Sequence, residues 1–115
     1  MGDNELSDRL FRFGVDVIIA VRNLKGGAEL LIIRPQLIKA ATSSGANYEE
    51  AQGAVSRPDF GNKVGISLKE MRESNYWLRV FNYLYPDDHE LERLKNESYE
   101  LKHILGSIST KVTKK

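Results

Sequence analysis

A chain of 115 residues is long enough to bury one core of ordinary size and too short for two. Its 17 Lys and Arg residues nearly balance its 16 Asp and Glu residues, and a net charge of +1 excludes a strong global attraction to nucleic acid or membrane. The absence of cysteine excludes disulfides, thiolate metal sites and cysteine nucleophiles, and fits a reducing compartment.

The N-terminal residues MGDNELSDRL (1–10) are acidic and polar, unlike the basic and then apolar stretch of a secretory signal. No window reaches the roughly 18 apolar residues that a membrane-spanning helix needs. We therefore expect a cytoplasmic protein with no membrane partner.

Turn-forming residues fall at three places: KGG (25–27), QGAVSRP (52–58) and YPDD (85–88). The long segments between them carry apolar residues at helical spacing, which predicts four helices. Short connections between long helices make antiparallel neighbours. The predicted fold class is therefore all-α, an up-down-up-down antiparallel four-helix bundle that forms a single domain over 1–115, with helices over 5–24, 29–53, 57–85 and 88–110.

The first helix has two apolar surfaces. One stripe at about 100° per residue predicts the bundle core: Leu6, Leu10, Phe13, Val17, Val21 and Leu24. A second surface, formed by Phe11, Val15 and Ile18 with Ile19 at its edge, lies well round the helix from the first. The helix of a small monomeric bundle is expected to be polar there.

The second helix has an apolar face whose middle is made of small residues, which favours close packing. That face contains Leu37, Ala40, Ala41, Ser44, Asn47, Tyr48, Ala51 and Val55. Gly45 costs about 1 kcal/mol of helix propensity relative to alanine, so close contacts must return it. If Ser44 and Asn47 are buried they need partners. A buried network and a bond from Ser44 back to its own helix are two alternatives.

The position of Pro35 leaves two alternatives for the start of the second helix. Pro35 either sits in the first turn or kinks the helix. In either case the segment 28–33 is an extra turn or an entry loop.

The third helix is predicted to begin at a cap formed by Ser56, with Asp59 three residues later and Pro58 in the first turn. Its core stripe consists of Phe60, Val64, Leu68, Met71 and Leu78. A second apolar face gathers Ile66, Tyr76, Phe81 and Tyr85.

The fourth helix follows Pro86, which cannot continue the third, and is capped by Asp87 or Asp88. We interpret the DDHE cluster (87–90) as this cap and not as a metal site. This helix has one apolar stripe: Leu91, Leu94, Leu101, Leu105, Ile108 and, at its end, Val112.

Apolar residues grouped off the core stripes of two helices predict a homo-oligomer, although surface apolar residues taken singly are normal. The predicted interface contains Phe11, Val15, Ile18, Ile66, Glu73, Tyr76 and Phe81.

The segments QLIKAATSSGANYEEA (36–51) and SRPDFGNKVGISLKEMRESNYWL (56–78) closely resemble a known family. It comprises the small bacterial four-helix-bundle proteins encoded by intervening sequences of large-subunit ribosomal RNA genes. The resemblance implies an all-α bundle that assembles as a pentameric ring. It also implies RNA, DNA or a nucleic-acid enzyme such as a reverse transcriptase as partners, because relatives include the accessory protein of diversity-generating retroelements. The positions that match the family pattern, none of them a known catalyst, are Gln36, Ser44, Asn47, Tyr48, Glu50, Phe60, Glu70, Glu73, Tyr76 and Trp77.

Catalytic patterns are weak. A ferritin-like di-metal site needs two Glu-x-x-His turns, and the chain has one, Glu100 to His103, on the polar side of the fourth helix. With His89 at a helix start and no phosphate-binding loop or nucleophile elbow, no acid, base and nucleophile constellation emerges. We therefore predict no enzyme, no catalytic residue, no cofactor and no metal.

Two function classes remain. In a nucleic-acid or nucleoprotein-binding scaffold, a ring would repeat a modest basic patch so that avidity replaces charge per chain. The candidate nucleic-acid residues are Arg9, Arg12, Arg22, Lys111, Lys114 and Lys115. Alternatively these cations only solvate the surface, and the protein is a protein–protein interaction or structural module without nucleic-acid binding.

Overall fold

A computed structural model describes residues 3–113 of the chain, and within that range it contains four α-helices and no strand. The helices are α1 (Asp3–Val21), α2 (Leu30–Ala51), α3 (Arg57–Leu84) and α4 (His89–Thr113). The all-α prediction is therefore confirmed for these residues. The largest differences in length are at the chain-end helices, since α1 ends three residues before position 24 and α4 continues three residues past position 110.

Side-chain caps define the starts of α3 and α4. Ser56 Oγ accepts a hydrogen bond from the backbone N–H of Asp59 at 3.1 Å, as the sequence predicts. At α4, Asp88 Oδ1 accepts from the backbone N–H groups of Glu90 at 3.1 Å and Leu91 at 3.0 Å. The second of the two candidate aspartates is thus the cap, and its carboxylate faces the positive end of the helix dipole.

Pro35 lies inside α2, since the helix begins at Leu30. Backbone bonds already run through the preceding segment, for example from Ile32 N to Glu29 O at 2.9 Å. The segment is therefore the first turn of the helix and not an entry loop. Proline has no N–H to donate, so the helical ladder loses one bond at this position.

Arg34, the residue before Pro35, binds two backbone carbonyls at and just beyond the C-terminus of α1. Arg34 donates from Nε to the carbonyl of Val21 at 2.8 Å and from Nη2 to the carbonyl of Leu24 at 2.6 Å. The last carbonyls of a helix have no partner within it, and a cationic donor also suits the negative end of the dipole. Arg34 therefore stabilises the α1–α2 turn.

Apolar stripes from all four helices form one core. The α1 stripe is buried from Leu6 to Val21, with Leu24 half-buried beyond the helix end. Val55 does not extend the α2 face, because it lies after the end of α2 and is 92% exposed. The larger fully buried side chains are Leu10, Phe13, Val17, Leu37, Tyr48, Met71, Leu78, Phe81, Leu91, Leu94, Leu101 and Leu105.

Helix neighbours run antiparallel. Contacts join α1 to α2, α2 to α3, α3 to α4, and α1 to α4. In the last pair, Arg9 meets Glu97 while Asp16, further along α1, meets Arg93, earlier in α4. Contacts also run in opposite directions along α2 and α3, from Ser44 with Ser67 to Glu50 with Lys63, and along α3 and α4, from Arg57 with Val112 to Asn75 with Ser98, so the order is up-down-up-down.

Small residues let α1 and α2 approach closely. A Cβ atom added to Gly45 would lie 3.4 Å from the backbone carbon and oxygen of Leu10. One added to Gly14 would lie 3.4 Å from the carbonyl oxygen of Ala41. The glycine on each helix thus faces backbone of the other, which explains the small residues of α2.

A reciprocal serine pair joins α2 to α3 within the core. Ser44 Oγ donates to the carbonyl of Ser67 at 2.8 Å, and Ser67 Oγ donates to the carbonyl of Ser44 at 2.7 Å. Both residues are fully buried. Of the two alternatives for Ser44, the buried network is correct, whereas Asn47 bonds back to the carbonyl of Ser43 at 2.9 Å.

Candidate interaction surfaces

The outer side of the α1–α4 contact is an ion-pair network. Arg9 binds both carboxylate oxygens of Glu97, at 2.7 and 2.9 Å, and also contacts Glu100. The hydrogen bonds that Arg9 donates to Glu97 raise the pKa of Arg9. A bidentate pair of this kind fixes the guanidinium in place. Arg9 is therefore committed to an intramolecular contact.

The network continues through a second arginine. Arg93 donates to Asp16 of α1 at 2.9 Å and to Glu90 of its own helix at 2.6 and 2.9 Å. The hydrogen bond from Arg93 lowers the pKa of the Glu90 carboxyl, and the same bond raises the pKa of Arg93. We name Arg9, Asp16, Glu90, Arg93, Glu97 and Glu100 the α1–α4 ion-pair network.

Among the described residues, the structure does not bring the predicted basic residues into one patch, although Arg9 and Arg12 line the same depression. Arg12 is exposed on α1 and Arg22 is exposed directly after its last residue, about 15 Å further along at a rise of 1.5 Å per residue. Lys111 is exposed near the end of α4, two turns or more beyond the contact that Arg9 makes. Lys114 and Lys115 lie outside the described residues.

An apolar groove runs along the outer side of the α1–α2 contact, with a volume of about 400 Å³. Phe11, Val15 and Ile18 form its α1 wall, and Phe11 is 73% exposed. Its α2 wall consists of small side chains such as Gly45 and Ala46. We name this surface the α1–α2 groove; it contains the predicted second surface of α1.

The second apolar surface of α3 differs in part from the prediction. Tyr76 and Ile66 are exposed as expected, but Phe81 is fully buried in the core and stacks on Tyr85. At about 100° per residue, the five positions between Tyr76 and Phe81 turn the helix by about 140°, so the two cannot share a face. The prediction that Phe81 belongs to an interface is therefore wrong.

Residues that the prediction omitted extend this surface. Val80, Tyr83 and Leu84 lie beside Tyr76, and Tyr83 is 86% exposed. The spacing of seven residues between Tyr76 and Tyr83 was a visible signal for a shared face. We name Tyr76, Val80, Tyr83 and Leu84 the α3 ridge.

The family-pattern residues make mostly structural contacts. Tyr48 is buried, and Phe60 is half-buried against the core. Glu73 accepts a hydrogen bond from Trp77 Nε1 at 3.2 Å, one helical turn away. Glu50 lies 3.8 Å from Lys63 of α3.

The remaining family carboxylates and polar residues are dispersed. Gln36 is exposed, and the backbone carbonyl of Glu70 accepts from Ser74 at 2.8 Å. Among the described residues no group of three or more His, Asp or Glu side chains is placed to hold a metal ion.

The outer side of the α3–α4 contact is an open and basic groove that sequence reasoning missed. Two depressions of about 450 and 380 Å³ adjoin at Lys102, which lines both. Arg72 and His103 line the first, and Arg79 and Lys95 line the second. Within the part of the chain that the structure describes, no Asp or Glu lines either depression. We name this surface the α3–α4 groove.

Helical spacing carried a signal for this groove. Arg72 and Arg79 on α3, like Lys95 and Lys102 on α4, are seven residues apart, which places each pair on one face two turns apart. The acids of α4 lie elsewhere: Glu97 and Glu100 face α1. What the sequence does not show is that the two basic faces meet across the same groove.

No helix within residues 3–113 combines the length and the apolar character needed to cross a bilayer.

Comparisons with known proteins identify a family and a solved structure of similar fold. A sequence model of the 23S rRNA-intervening sequence protein family matches residues 3–107. The chain is similar to a crystal structure from Bacteroides thetaiotaomicron, described as a protein with unknown function from the S23 ribosomal protein family. The identity is 32%, the match covers 96% of this chain and 99% of that chain, and the TM-score is 0.79. No curated protein matches the chain. Neither description names an enzymatic activity.

Proposed function

The chain belongs to the 23S rRNA-intervening sequence protein family, as the motifs of α2 and α3 predict, and from this premise we propose that it is a non-enzymatic, self-assembling scaffold that binds nucleic acid. The observation that carries self-assembly is the pair of exposed apolar surfaces, the α1–α2 groove and the α3 ridge. Contiguous apolar surface of this kind on a small chain is a mark of protein–protein contact.

The two surfaces are complementary in side-chain size. The groove is concave and has a floor of small residues, including Gly45, whereas the ridge presents large aromatic side chains, including Tyr83. Contact between two different surfaces is heterologous, and it closes into a ring when the rotation between copies allows. We propose a pentameric ring in which the ridge of one copy enters the groove of the next.

Light scattering coupled to size exclusion tests the assembly. The wild type is expected at five times the 13.0 kDa chain mass at micromolar concentration. Phe11→Asp places a carboxylate in the groove and is expected to yield a folded monomer. Val55→Asp is the matched control, because Val55 is also apolar and exposed but lies in the α2–α3 turn. A monomeric wild type, or a Phe11→Asp variant that assembles normally, would contradict the proposal.

A nucleic-acid role is supported by the basic α3–α4 groove, which a ring would repeat around its circumference. Filter binding of structured RNA and of duplex DNA at low salt tests this role. Retention that weakens steeply as salt rises is expected, because bound phosphates release counterions. The second candidate, a protein–protein module without nucleic-acid binding, is favoured if neither is retained while the ring still forms.

A further inference from the structure

The α3–α4 groove combines basic, hydroxyl and aromatic groups along one path. Its α4 wall runs from Lys95 to Thr113, a distance of about 27 Å at 1.5 Å per residue. Serine and threonine hydroxyls, including Ser107 and Thr110, line the half of the groove nearer the C-terminal end of α4. A path of this length and chemistry matches a chain of phosphates and does not match a small compact anion.

The cations of this groove are available to a ligand. Arg72, Lys95 and Lys102 form no ion pair with any carboxylate among the described residues, in contrast to Arg9 and Arg93. Lys102 instead lies over the ring of Tyr99, with its Nζ 4.8 Å from the ring centroid. Binding an anion at these positions therefore breaks no salt bridge.

Aromatic groups at the rim distinguish one strand from two. Tyr99 is 57% exposed, and its ring centroid lies 4.4 Å from that of His103. The Nδ1 of His103 donates to the backbone carbonyl of Tyr99 at 2.8 Å, which fixes the imidazole against its own helix. An exposed aromatic pair beside a basic groove offers a stacking platform for an unpaired base, and bases within a duplex are not accessible to it.

We propose that the α3–α4 groove binds single-stranded nucleic acid, with phosphates at Arg72, Lys95 and Lys102 and a base stacked at Tyr99. This assignment rests on the nucleic-acid role proposed above and names the site and the ligand class. Gly106 fits the assignment, because its Cα faces open space within the groove. A Cβ there would meet nothing within 4 Å, so the residue can be changed without disturbing the fold.

Fluorescence anisotropy with a labelled oligouridine of about 20 nucleotides, longer than most single-strand sites, tests the proposal. The groove variant is Arg72→Glu with Lys102→Glu, and we expect it to lose at least about tenfold in affinity. Its log–log salt slope should flatten by about 1.4, since each lost phosphate contact contributes about 0.7. The charge-matched control is Lys25→Glu with Lys39→Glu, both exposed and outside the groove, and we expect it to bind within about twofold.

Two further variants guard against trivial loss. Gly106→Glu adds one carboxylate to the groove without a clash and should weaken binding in the same direction. Tyr99→Ala should weaken the oligouridine and leave duplex binding unchanged, because only an unpaired base can stack. All variants are first checked by circular dichroism and by light scattering for fold and assembly.

The outcomes separate the groove from the broader role. If the wild type binds and both the groove variant and Gly106→Glu keep that binding, the groove assignment is overturned and the nucleic-acid role stands. The same conclusion follows if Arg12→Glu with Arg22→Glu abolishes binding instead. A wild type that binds neither the oligouridine nor structured RNA nor duplex DNA at low salt overturns both.

Discussion

On its α1 side, α4 holds Glu97 and Glu100 in contact with Arg9, whereas on its α3 side it presents Lys95 and Lys102 to an open groove. The two flanks of one helix thus treat charge in opposite ways. On the first, two arginines bind carboxylates of opposite charge and join two helices. On the second, like charges line a depression and remain available to a ligand.

This difference shows why a net charge of +1 describes the surface poorly. Near α4, most of the carboxylates belong to the α1–α4 ion-pair network, where they bind Arg9 and Arg93. Among the described residues, the α3–α4 groove is therefore lined by four Lys and Arg side chains and no carboxylate, although the chain as a whole is nearly neutral. Local segregation of charge, and not total charge, is what a phosphate backbone meets.

The largest stability effect is expected beneath the α3–α4 groove. Asn75 is buried and donates from Nδ2 to Ser98 Oγ at 2.9 Å, while its Oδ1 accepts from Arg79 Nε at 3.2 Å. Asn75→Ala removes these bonds at a buried position and should lower the free energy of unfolding by about 1–3 kcal/mol. Urea denaturation at a fixed chain concentration measures it.

The matched control for that change is Asn96→Ala, in the same groove but exposed. It should change the free energy of unfolding by less than about 0.5 kcal/mol. Equal effects at the two positions would show that the floor of the groove is not held by Asn75.

A smaller effect is expected in the α1–α4 ion-pair network. A double-mutant cycle with Arg9→Met and Glu97→Gln should give a coupling free energy of about 0.5–1 kcal/mol, because the pair is bidentate but partly solvated. Arg12→Met, an exposed arginine on the same helix, serves as the single-variant control. A coupling of zero would mean that the Arg9–Glu97 pair contributes no net stability to the α1–α4 contact.

The smallest effect depends on pH. Arg93 lowers the pKa of Glu90 below its ordinary value of 4.5, so this pair stabilises the fold above that value and loses its contribution as pH falls through the lowered pKa. The difference in free energy of unfolding between wild type and Arg93→Met should therefore be constant above about pH 5.5 and shrink below pH 4.5. Both side chains are about half exposed, so the difference is small.

That experiment also sharpens the comparison between the two flanks. Arg72→Met, on the α3–α4 side, should show no such acid dependence, since no carboxylate among the described residues pairs with it. Acid dependence of equal size in both variants would remove the distinction.

The sequence predicted the core better than it predicted the surface. Leu91, Leu94, Leu101 and Leu105 are buried as their spacing indicates, because burial follows the position of a side chain around its own helix. The position of Phe81 depends in the same way on its angle around α3. The prediction places it on one face with Tyr76, but a rotation of about 140° between the two positions puts Phe81 in the core.

The polar contacts were less predictable. Ser44 was recognised as needing a partner, but nothing in the sequence identified Ser67, which lies 23 positions away on another helix. Arg9 was expected on a free basic surface, and the structure places it against two glutamates of α4. Local spacing gives the position of a side chain around its own helix, whereas a contact between two helices depends on the positions of both side chains.

By itself the sequence determined four helices, the cap of the third at Ser56, a cap of the fourth at Asp87 or Asp88, and most of the stripe that each helix buries, because these features depend on residues within a turn or two of one another. Only the tertiary structure decided which charges neutralise each other and which line an open groove. The physical reason is that α4 has two flanks, and their character depends on whether α1 or α3 lies alongside.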